Sequence, residues 1–578
     1  MRYICLMLAA LITFSSCEKF LDKNPLDKLT PEQTFSTESN LQLYVNSFYQ
    51  MLPDGSAIYK GDVMSDITVP NAVPSFIAGR LSSLEATGWN WGDLRNINYF
   101  LEHYDNPAIS QKAKNNYSGI ARFFRACFYF NMVKQFGDVP WYGKTLAIDD
   151  SGLYKPRDAR TLVMDSVLAD INFACDNIYS QKDNSCTQIT KWVALALKSR
   201  ICLFEGTFRK YHPEYSLAGS DKWLQDAVDA ADQLIKSNQY KLQNTGSPDK
   251  DYRSLFISEN PVSTEVLLAA VYNNALKKWH DAAWWFNSAT LGARLGLDKS
   301  FINTYQNIDG SRFTELPGYD TMQFQTEVKN RDKRLQQTIR MGDYKRIDGT
   351  PAPPDFTVTY SGYQIQKFSL DDKYYDTRRE SYNSIPVIRY AEVLLNYAEA
   401  RAELGILTGD DWNLTIGALR NRAGIQNAGM PISADTYMQK NFFPDISNAA
   451  LIEIRRERAI ELVCEGFRFD DLKRWKEGKL LEKPYTGIYV PGKEILLDLN
   501  EDGKPDVSFV DNVPADRVSG VVYFLLDNNT SKLSQGDKGN LVWLSNIPKK
   551  FEDKMYLNPI PSNEIVLNPS LKQNPGWD

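Results

Sequence analysis

The sequence predicts a mainly α protein: helix pairs that scaffold a loop-rich, irregular region. Three observations predict it. In the first part of the chain, apolar residues recur at three- and four-residue spacing in runs of about 15 to 20 residues, joined by what read as short loops, which suggests antiparallel pairs. From about Lys241 to Tyr382 that period fades, and Gly, Pro, Asn, Asp and aromatics dominate. After Tyr382 the helical period returns. The expected organisation is an export signal over 1–16, a helical region over 17–240, and a region over 241–578 that holds a loop-rich binding insert and returning helices.

The amino terminus reads as targeting, not fold. Arg2 is a short positive region, Ile4 to Phe14 an apolar one too short to span a bilayer comfortably, and the small Ser15 and Ser16 precede Cys17. That is the shape of a bacterial lipobox, with Phe14 where leucine is usual. Cys17 is the expected lipidation site. Each buried acyl methylene adds about 0.8 kcal/mol, so two or three chains anchor firmly. No later run of about 18 apolar residues follows, so membrane contact is expected through the lipid alone.

The helices follow in order. "NLQLYVNSFYQML" sets Leu43, Phe48, Met51 and Leu52 at helical spacing. "WGDLRNINYFLEHY" places Leu94, Ile97, Phe100 and Leu101 on one stripe. "YSGIARFFRACFYFNMVKQFGDVP" is the clearest case, with Ile120, Phe123, Phe124, Cys127, Phe130 and Val133 in phase and Gly137 and Pro140 as its stop. Arg122 and Arg125, set among those aromatics, read as packed arginines that brace neighbouring helices. Further runs start near Thr161, Thr190 and Lys222. In the middle, "SGYQIQKFSL" reads as a short strand among loops. "PVIRYAEVLLNYAEARAELG" reads as a helix opened by its proline and closed by Gly405. "AALIEIRRERAIELVCEGFRFDDLKRW" reads as a helix that breaks at Gly466 and continues. Its Arg455, Arg458, Glu461, Glu465, Arg468 and Asp471 read as internal ion pairs between packed helices. From Leu480 onward the chain reads as irregular.

Composition narrows the chemistry. A net charge of -6 argues against nucleic acid. The sequence holds three histidines, His103, His212 and His280, and no HExxH, CxxC, P-loop or GxSxG motif, so zinc, redox, nucleotide and nucleophile–histidine chemistry are poor fits. A carboxylate pair of the glycosidase kind stays open. After Cys17 five cysteines remain, Cys127, Cys175, Cys186, Cys202 and Cys464. Most read as buried thiols, with a Cys175–Cys186 pair open. The 12 Trp, 31 Tyr and 28 Phe exceed what a plain helical core needs and point to stacking surfaces.

"CEKFLDKNP", "ARFFRACFYFNMVKQFGDVPW", "IRYAEVLLNYAEA", "LRNRAGI", "RERAIELVCEGFRFDDLKRW" and "NPIPSNEIVLNP" with "QNPGW" occur in this order over nearly the whole mature chain. Together they resemble the SusD/RagB family of bacteroidete outer-membrane lipoproteins. Trp577 departs from that pattern, where tyrosine is frequent. The resemblance implies a tetratricopeptide-like helix-pair scaffold and a surface-exposed outer-membrane lipoprotein. It also implies a TonB-dependent, SusC-like barrel as partner, and capture of glycans, or in some members peptides, without catalysis. Glu18 and Asp22 agree loosely with an acidic surface-export signal.

Sugar rings stack their C–H faces on aromatic planes, while polar groups take the hydroxyls. "GWNWGDLR" offers Trp89, Asn90 and Trp91 at the mouth of a helix, in a neighbourhood where family members often carry a stacking tryptophan. The core claims Trp91 more readily than Trp89. "KKWHDAAWWFNSA" offers Trp279, Trp284 and Trp285, with Trp284 or Trp285 as the ligand candidates. Asp66 is a further polar candidate, implied by its place in the family. Separately, "DLNEDGKPDVSF" sets Asp498, Asn500, Asp502, Gly503 and Asp506 at positions 1, 3, 5, 6 and 9 of a calcium-loop pattern. Lys504 offers its carbonyl, and Phe509 replaces the glutamate at position 12. A structural Ca2+ is the cofactor expected there. The same residues also suit a polar turn whose carboxylates cap amides. The leading expectation is a glycan-binding lipoprotein of a nutrient-uptake complex. The alternatives are a peptide-capturing RagB-like protein, a lid that binds no ligand, and a tethered two-carboxylate hydrolase.

Overall fold

The computed structural model describes residues 31–290 and 292–577. The signal, Cys17, Glu18 and Asp22 lie outside the described residues.

Helix α1 (Glu38–Asn46) starts where the Thr37 hydroxyl accepts from the Asn40 amide at 3.2 Å, and it runs into a 3-10 turn, Ser47–Met51. It buries Leu41, Val45 and Phe48, while Leu43, expected on the apolar stripe, is exposed. Steps of four and three keep 41, 45 and 48 on one face, and position 43 falls on the other. Helix α2 (Gly92–His103) buries Leu94, Ile97 and Phe100 as expected. Helix α3 (Gln111–Phe136) begins at Ser110, whose hydroxyl accepts from the Ala113 amide at 3.2 Å. It stops at Gly137, which has a positive φ of 75° and lies where a Cβ would come 2.9 Å from Leu557.

Helices α4 (Arg160–Asn177), α5 (Lys191–Tyr211) and α6 (Ser220–Lys236) start close to the expected positions. They pack in chain order, α3 on α4, α4 on α5 and α5 on α6. At Gly206 a Cβ would lie 2.8 Å from Leu224 Cγ, so the glycine sets how closely α5 and α6 approach. Arg125 Nε and Nη2 donate to both oxygens of Asp170 at 2.6 and 2.8 Å, and Arg122 Nη1 reaches the same carboxylate at 3.0 Å. These two arginines brace α3 against α4, as their sequence context indicated. The link from α3 to α4, over 137–159, is not the short loop expected. It folds back over α2 and α3 and walls the cleft described below.

The middle of the chain is core rather than fringe. Strand β1 (Thr68–Val69) pairs with β3 (Gly296–Leu297), and β2 (Val266–Ala270) pairs with β4 (Ile385–Arg389), both antiparallel. The sequence placed Pro386 in the first turn of a helix. It lies instead in β4, where the register shifts beside Ala269, and helix α7 (Tyr390–Glu403) starts only at Tyr390. All five β4 residues are buried, and a buried strand has no alternation to betray it. Residues 361–370 are all buried but form no strand, only isolated bridges from Gln364 to Gly296 and from Ile365 to Ile339.

Helix α8 (Ala449–Glu461) ends before Gly466, which has a φ of 80°, and α9 (Arg468–Arg474) follows. Beyond Leu480 the chain is more regular than its sequence indicated. Strands β5 (Tyr485–Val490), β9 (Ser531–Leu533) and β10 (Gly539–Trp543) form one sheet in the order β5-β10-β9. Strands β6 (Leu496–Leu497), β7 (Val507–Val510) and β8 (Val522–Leu525) form another, with β7 and β8 parallel. These strands are too short to show a period.

The charged face of α8 is interior. Glu461 accepts from Arg389 at 2.6 Å, Arg422 at 2.5 Å and Arg334 at 2.9 Å. Burial alone would raise its carboxyl, but the charges of Arg422, Arg389 and Arg334 carry it well below the usual range. Arg458 binds both oxygens of Asp471, Arg474 both of Glu399, and Arg389 also Glu465. Internal ion pairing is therefore what these residues do: between helices for Arg458 and Asp471, from α8 and the turn after it to β4 for Glu461 and Glu465 with Arg389, and from α9 to the segment before β1 for Arg468 with Asp66. The five cysteines described are free, and Cys186 donates its thiol to the Val266 carbonyl at 3.1 Å rather than pairing with Cys175.

Candidate functional site

A cleft of about 390 Å³ opens between the start of α2, the 137–159 link and the carboxy-terminal segment. Such volumes suit a small ligand or a short oligomer. Trp89 and Trp91 form one wall, with rings 5.4 Å apart at 76°. Trp89 also stands edge-on to Phe136 at 5.1 Å, and Trp91 to Tyr142 at 5.5 Å. Both indoles are half-buried: one side packs on the core and the remainder lines the cleft. Leu153 and Tyr154, from a 3-10 turn (Ser151–Tyr154), also line it, as do Glu564, Leu567 and Asn568 from the carboxy-terminal segment. Tyr154 is 56% exposed.

The polar floor is held by a relay. Asp170 grips Arg125, Arg125 Nη1 donates to Asn98 Oδ1 at 3.2 Å, and Asn98 donates to the Tyr142 carbonyl at 2.8 Å. The Tyr142 amide donates in turn to the Tyr129 hydroxyl at 2.6 Å. The Thr145 amide and hydroxyl donate to Glu102 at 3.0 and 2.5 Å, and Arg95 donates to the Leu146 carbonyl at 2.5 Å. The strap therefore sits at a set distance from the tryptophans and leaves Lys144 at the cleft, while Glu564 is brought there by the carboxy-terminal segment. Aromatic planes facing donors and acceptors can take a hydroxyl-rich ring.

The candidates named from sequence divide. Trp89 and Trp91 come together in the cleft. Asn90 does not line it; its side-chain oxygen accepts from the Gly92 amide at 2.9 Å and shapes the start of α2. Asp66 is buried far from solvent, with both oxygens on Arg468 at 2.7 and 2.9 Å, so it joins the fold and not the cleft. Trp284 and Trp285 lie on a short helix (Ala282–Asn287), with Trp285 packed against a different part of the core. The Arg379 guanidinium covers Trp284 at 4.0 Å and the Lys60 ammonium covers Trp285 at 4.5 Å. The two tryptophan clusters are thus separate surfaces, not one platform. Tyr142, Tyr154 and Lys144 also line the cleft, and their sequence context does not single them out. No periodic signal marks them, since they lie in a link that only folding brings back to α2.

The acidic loop closes on itself. Asp498 accepts from the Asn500 and Gly503 amides at 3.1 and 2.8 Å, Asn500 from Asp502 at 3.2 Å, Asp502 from Lys504 at 2.9 Å, and Asp506 from Leu499 at 2.7 Å. Gly503 supplies the sharp turn, with a φ of 82°. Burial first, then the charges of Asp498 and Asp502, raise the Asp506 carboxyl above its usual range. Among the described residues, no three His, Cys, Asp or Glu side chains converge closely enough to hold a metal ion. The carboxylates accept the loop's own amides rather than converging on one point, the arrangement of the polar turn that the same residues also suit.

Among the described residues no helix is long and apolar enough to cross a membrane. The family model described as "SusD family" matches residues 286–577, and one described as "Starch-binding associating with outer membrane" matches residues 19–203. The chain is 23% identical over 510 residues to SusD-like protein P38 of Formosa agariphila, covering 84% of this chain and 93% of that one. It is 24% identical over 319 residues to SusD-like protein P25 of the same organism, a match spanning 50% of this chain and about half of that relative, 54%. A SusD-like carbohydrate binding protein from Bacteroides fragilis NCTC 9343 shares its fold, with a TM-score of 0.68 at 20% identity over 93% of this chain and 100% of that one. With the helical scaffold, the cleft-bearing link and both family matches in hand, the chain belongs to the SusD family.

Proposed function

We propose that this protein is a cell-surface lipoprotein that captures oligo- or polysaccharide and passes it, without catalysis, to a partner TonB-dependent, SusC-like transporter in the outer membrane. The observation that carries the reading is the aromatic cleft. Trp89, Trp91 and Tyr154 line it beside polar groups of a braced strap, and such rings can take pyranose C–H surfaces. The family match and the carbohydrate-binding description of the B. fragilis relative support it. A lipid on Cys17 is the proposed anchor, so that the cleft stays beside the transporter's mouth.

Affinity electrophoresis through gels carrying plant, microbial or host polysaccharides tests the reading. Retardation by one class, lost on Trp89→Ala, supports it and names the substrate family. Retardation by none shifts the reading to peptide capture or to a ligand-free lid. Release of reducing ends from a soluble polysaccharide would instead make the protein a hydrolase.

The 498–506 loop is proposed as a structural calcium site of the weak, extracellular kind. Burial and then the charges of Asp498 and Asp502 raise Asp506, and a bound cation would favour its ionised form.

A further inference from the structure

We propose that a second cleft, remote in sequence from the tryptophans, recognises the carboxylate of an acidic, uronate-bearing saccharide; this rests on the glycan-capture reading. The cleft holds about 530 Å³, and none of its lining residues is aromatic. Recognition there must come from charge and hydroxyls rather than stacking.

Its floor carries two buried guanidiniums and one carboxylate. Arg346 holds both oxygens of Asp376. Arg340 is 5% exposed and stands 3.9 Å from the same carboxylate, already engaged by Arg346. The side chain that Arg340 hydrogen-bonds is a neutral amide, Asn287 Oδ1 at 2.9 Å, and its Nε is buried with no partner. Burial, with the Arg346 charge acting the same way, lowers its pKa to about 10. A guanidinium in that state is under-neutralised, and an incoming carboxylate completes it. Arginine's planar fork matches a carboxylate with two parallel hydrogen bonds.

Not every remaining charge favours an anion, since two further carboxylates share the lining, so the incoming carboxylate is assigned to the Arg340 side of the floor. Asp355 and Asp506 also line the cleft, and each accepts from a backbone amide, from Thr357 at 2.8 Å and Leu499 at 2.7 Å. Lys373 stands exposed at the rim and adds positive charge at the entrance, while Thr290 and Thr350 set hydroxyls where a sugar ring would lie.

Isothermal titration of the purified protein with tetragalacturonate and with its fully methyl-esterified form tests this. The expected result is binding of the acid about tenfold tighter than the ester, a preference erased by Arg340→Gln, since one charge-assisted pair contributes about that factor. Melting curves check that the variant folds. If it does not, Lys373→Ala at the exposed rim decides: it should reduce the preference a few-fold with an unchanged Tm. Equal affinity for acid and ester overturns the proposal, as does tighter binding of a sulfated galactan or of a short peptide carboxylate. Retention by neutral polysaccharide with no acid preference overturns this site alone; failure to bind any saccharide overturns the glycan reading as well.

Discussion

Arg468 grips Asp66 across 402 positions of sequence, Nε to one carboxylate oxygen at 2.7 Å and Nη2 to the other at 2.9 Å, with both side chains buried. Burial raises the Asp66 carboxyl, but the Arg468 charge and hydrogen bonds and the Lys483 charge carry it below its usual range. The pair ties the start of α9 to the segment before β1.

Removing one partner leaves the other charge buried without compensation. Arg468→Ala is expected to lower the unfolding free energy by about 3 to 5 kcal/mol. The double variant Asp66→Leu with Arg468→Met is expected to recover much of that. Urea titration of the three proteins measures it, and a double variant no more stable than the single one would show that the pair matters through packing.

Glu477 gives a pH signature of its own. Burial pushes its carboxyl up to about 7, against the lowering charges of Arg455 and Arg468. A carboxyl whose folded pKa exceeds its unfolded value binds more protons when folded, so its contribution to stability falls as pH rises from about 4.5 to about 7. Relative to Glu477→Gln, the wild-type Tm is expected to decline between pH 5 and pH 7.5. A constant difference across that range would mean the carboxyl titrates normally. Asp66 and Glu461, with lowered values, act in the opposite sense: their stabilisation is complete above about pH 5, past the unfolded values, and is lost as pH falls through their folded values.

Tyr154 separates binding from folding better than either tryptophan. It lines the cleft yet is more than half exposed, whereas Trp89 and Trp91 also pack on Phe136 and Tyr142. Tyr154→Ala is expected to weaken glycan binding by about 1 kcal/mol, roughly fivefold in Kd, with no change in Tm. Trp89→Ala should lose more binding and some stability. Glycan affinity that is indifferent to Tyr154 would place the ligand elsewhere on the cleft wall.

Calcium occupancy is open to a direct check. If the 498–506 loop takes the ion with millimolar-range affinity, several millimolar CaCl2 should raise Tm over an EGTA control, and Asp498→Asn with Asp502→Asn should abolish the rise. Identical melting curves in chelator and calcium would leave the loop as a turn held by its own amides.

Much of the scaffold was legible in the sequence. Helices α3 to α6 announce themselves by period, and α3 by Gly137 as its stop; the caps Ser110 and Thr190 appear only in the structure. The fate of α8's charges was legible too, because arginines and glutamates alternate there along a helix that is otherwise apolar. Strand β4 and the carboxy-terminal sheets were not, since short or fully buried strands carry no alternation. In the candidate site, Trp89 and Trp91 could be named because the family resemblance points to a stacking tryptophan there, at the mouth of a helix. Their partners Tyr142 and Tyr154 lie in a link whose path depends on Asn98 and Arg125. The reason is physical. Period, caps and breakers act within a few residues and are written locally, so the sequence by itself determined the helices and their buried faces. Which aspartate meets which arginine, and which tryptophan keeps a face open, depends on contacts between distant segments, and only the tertiary structure decided that Asp66 is core and Trp89 lines a cleft.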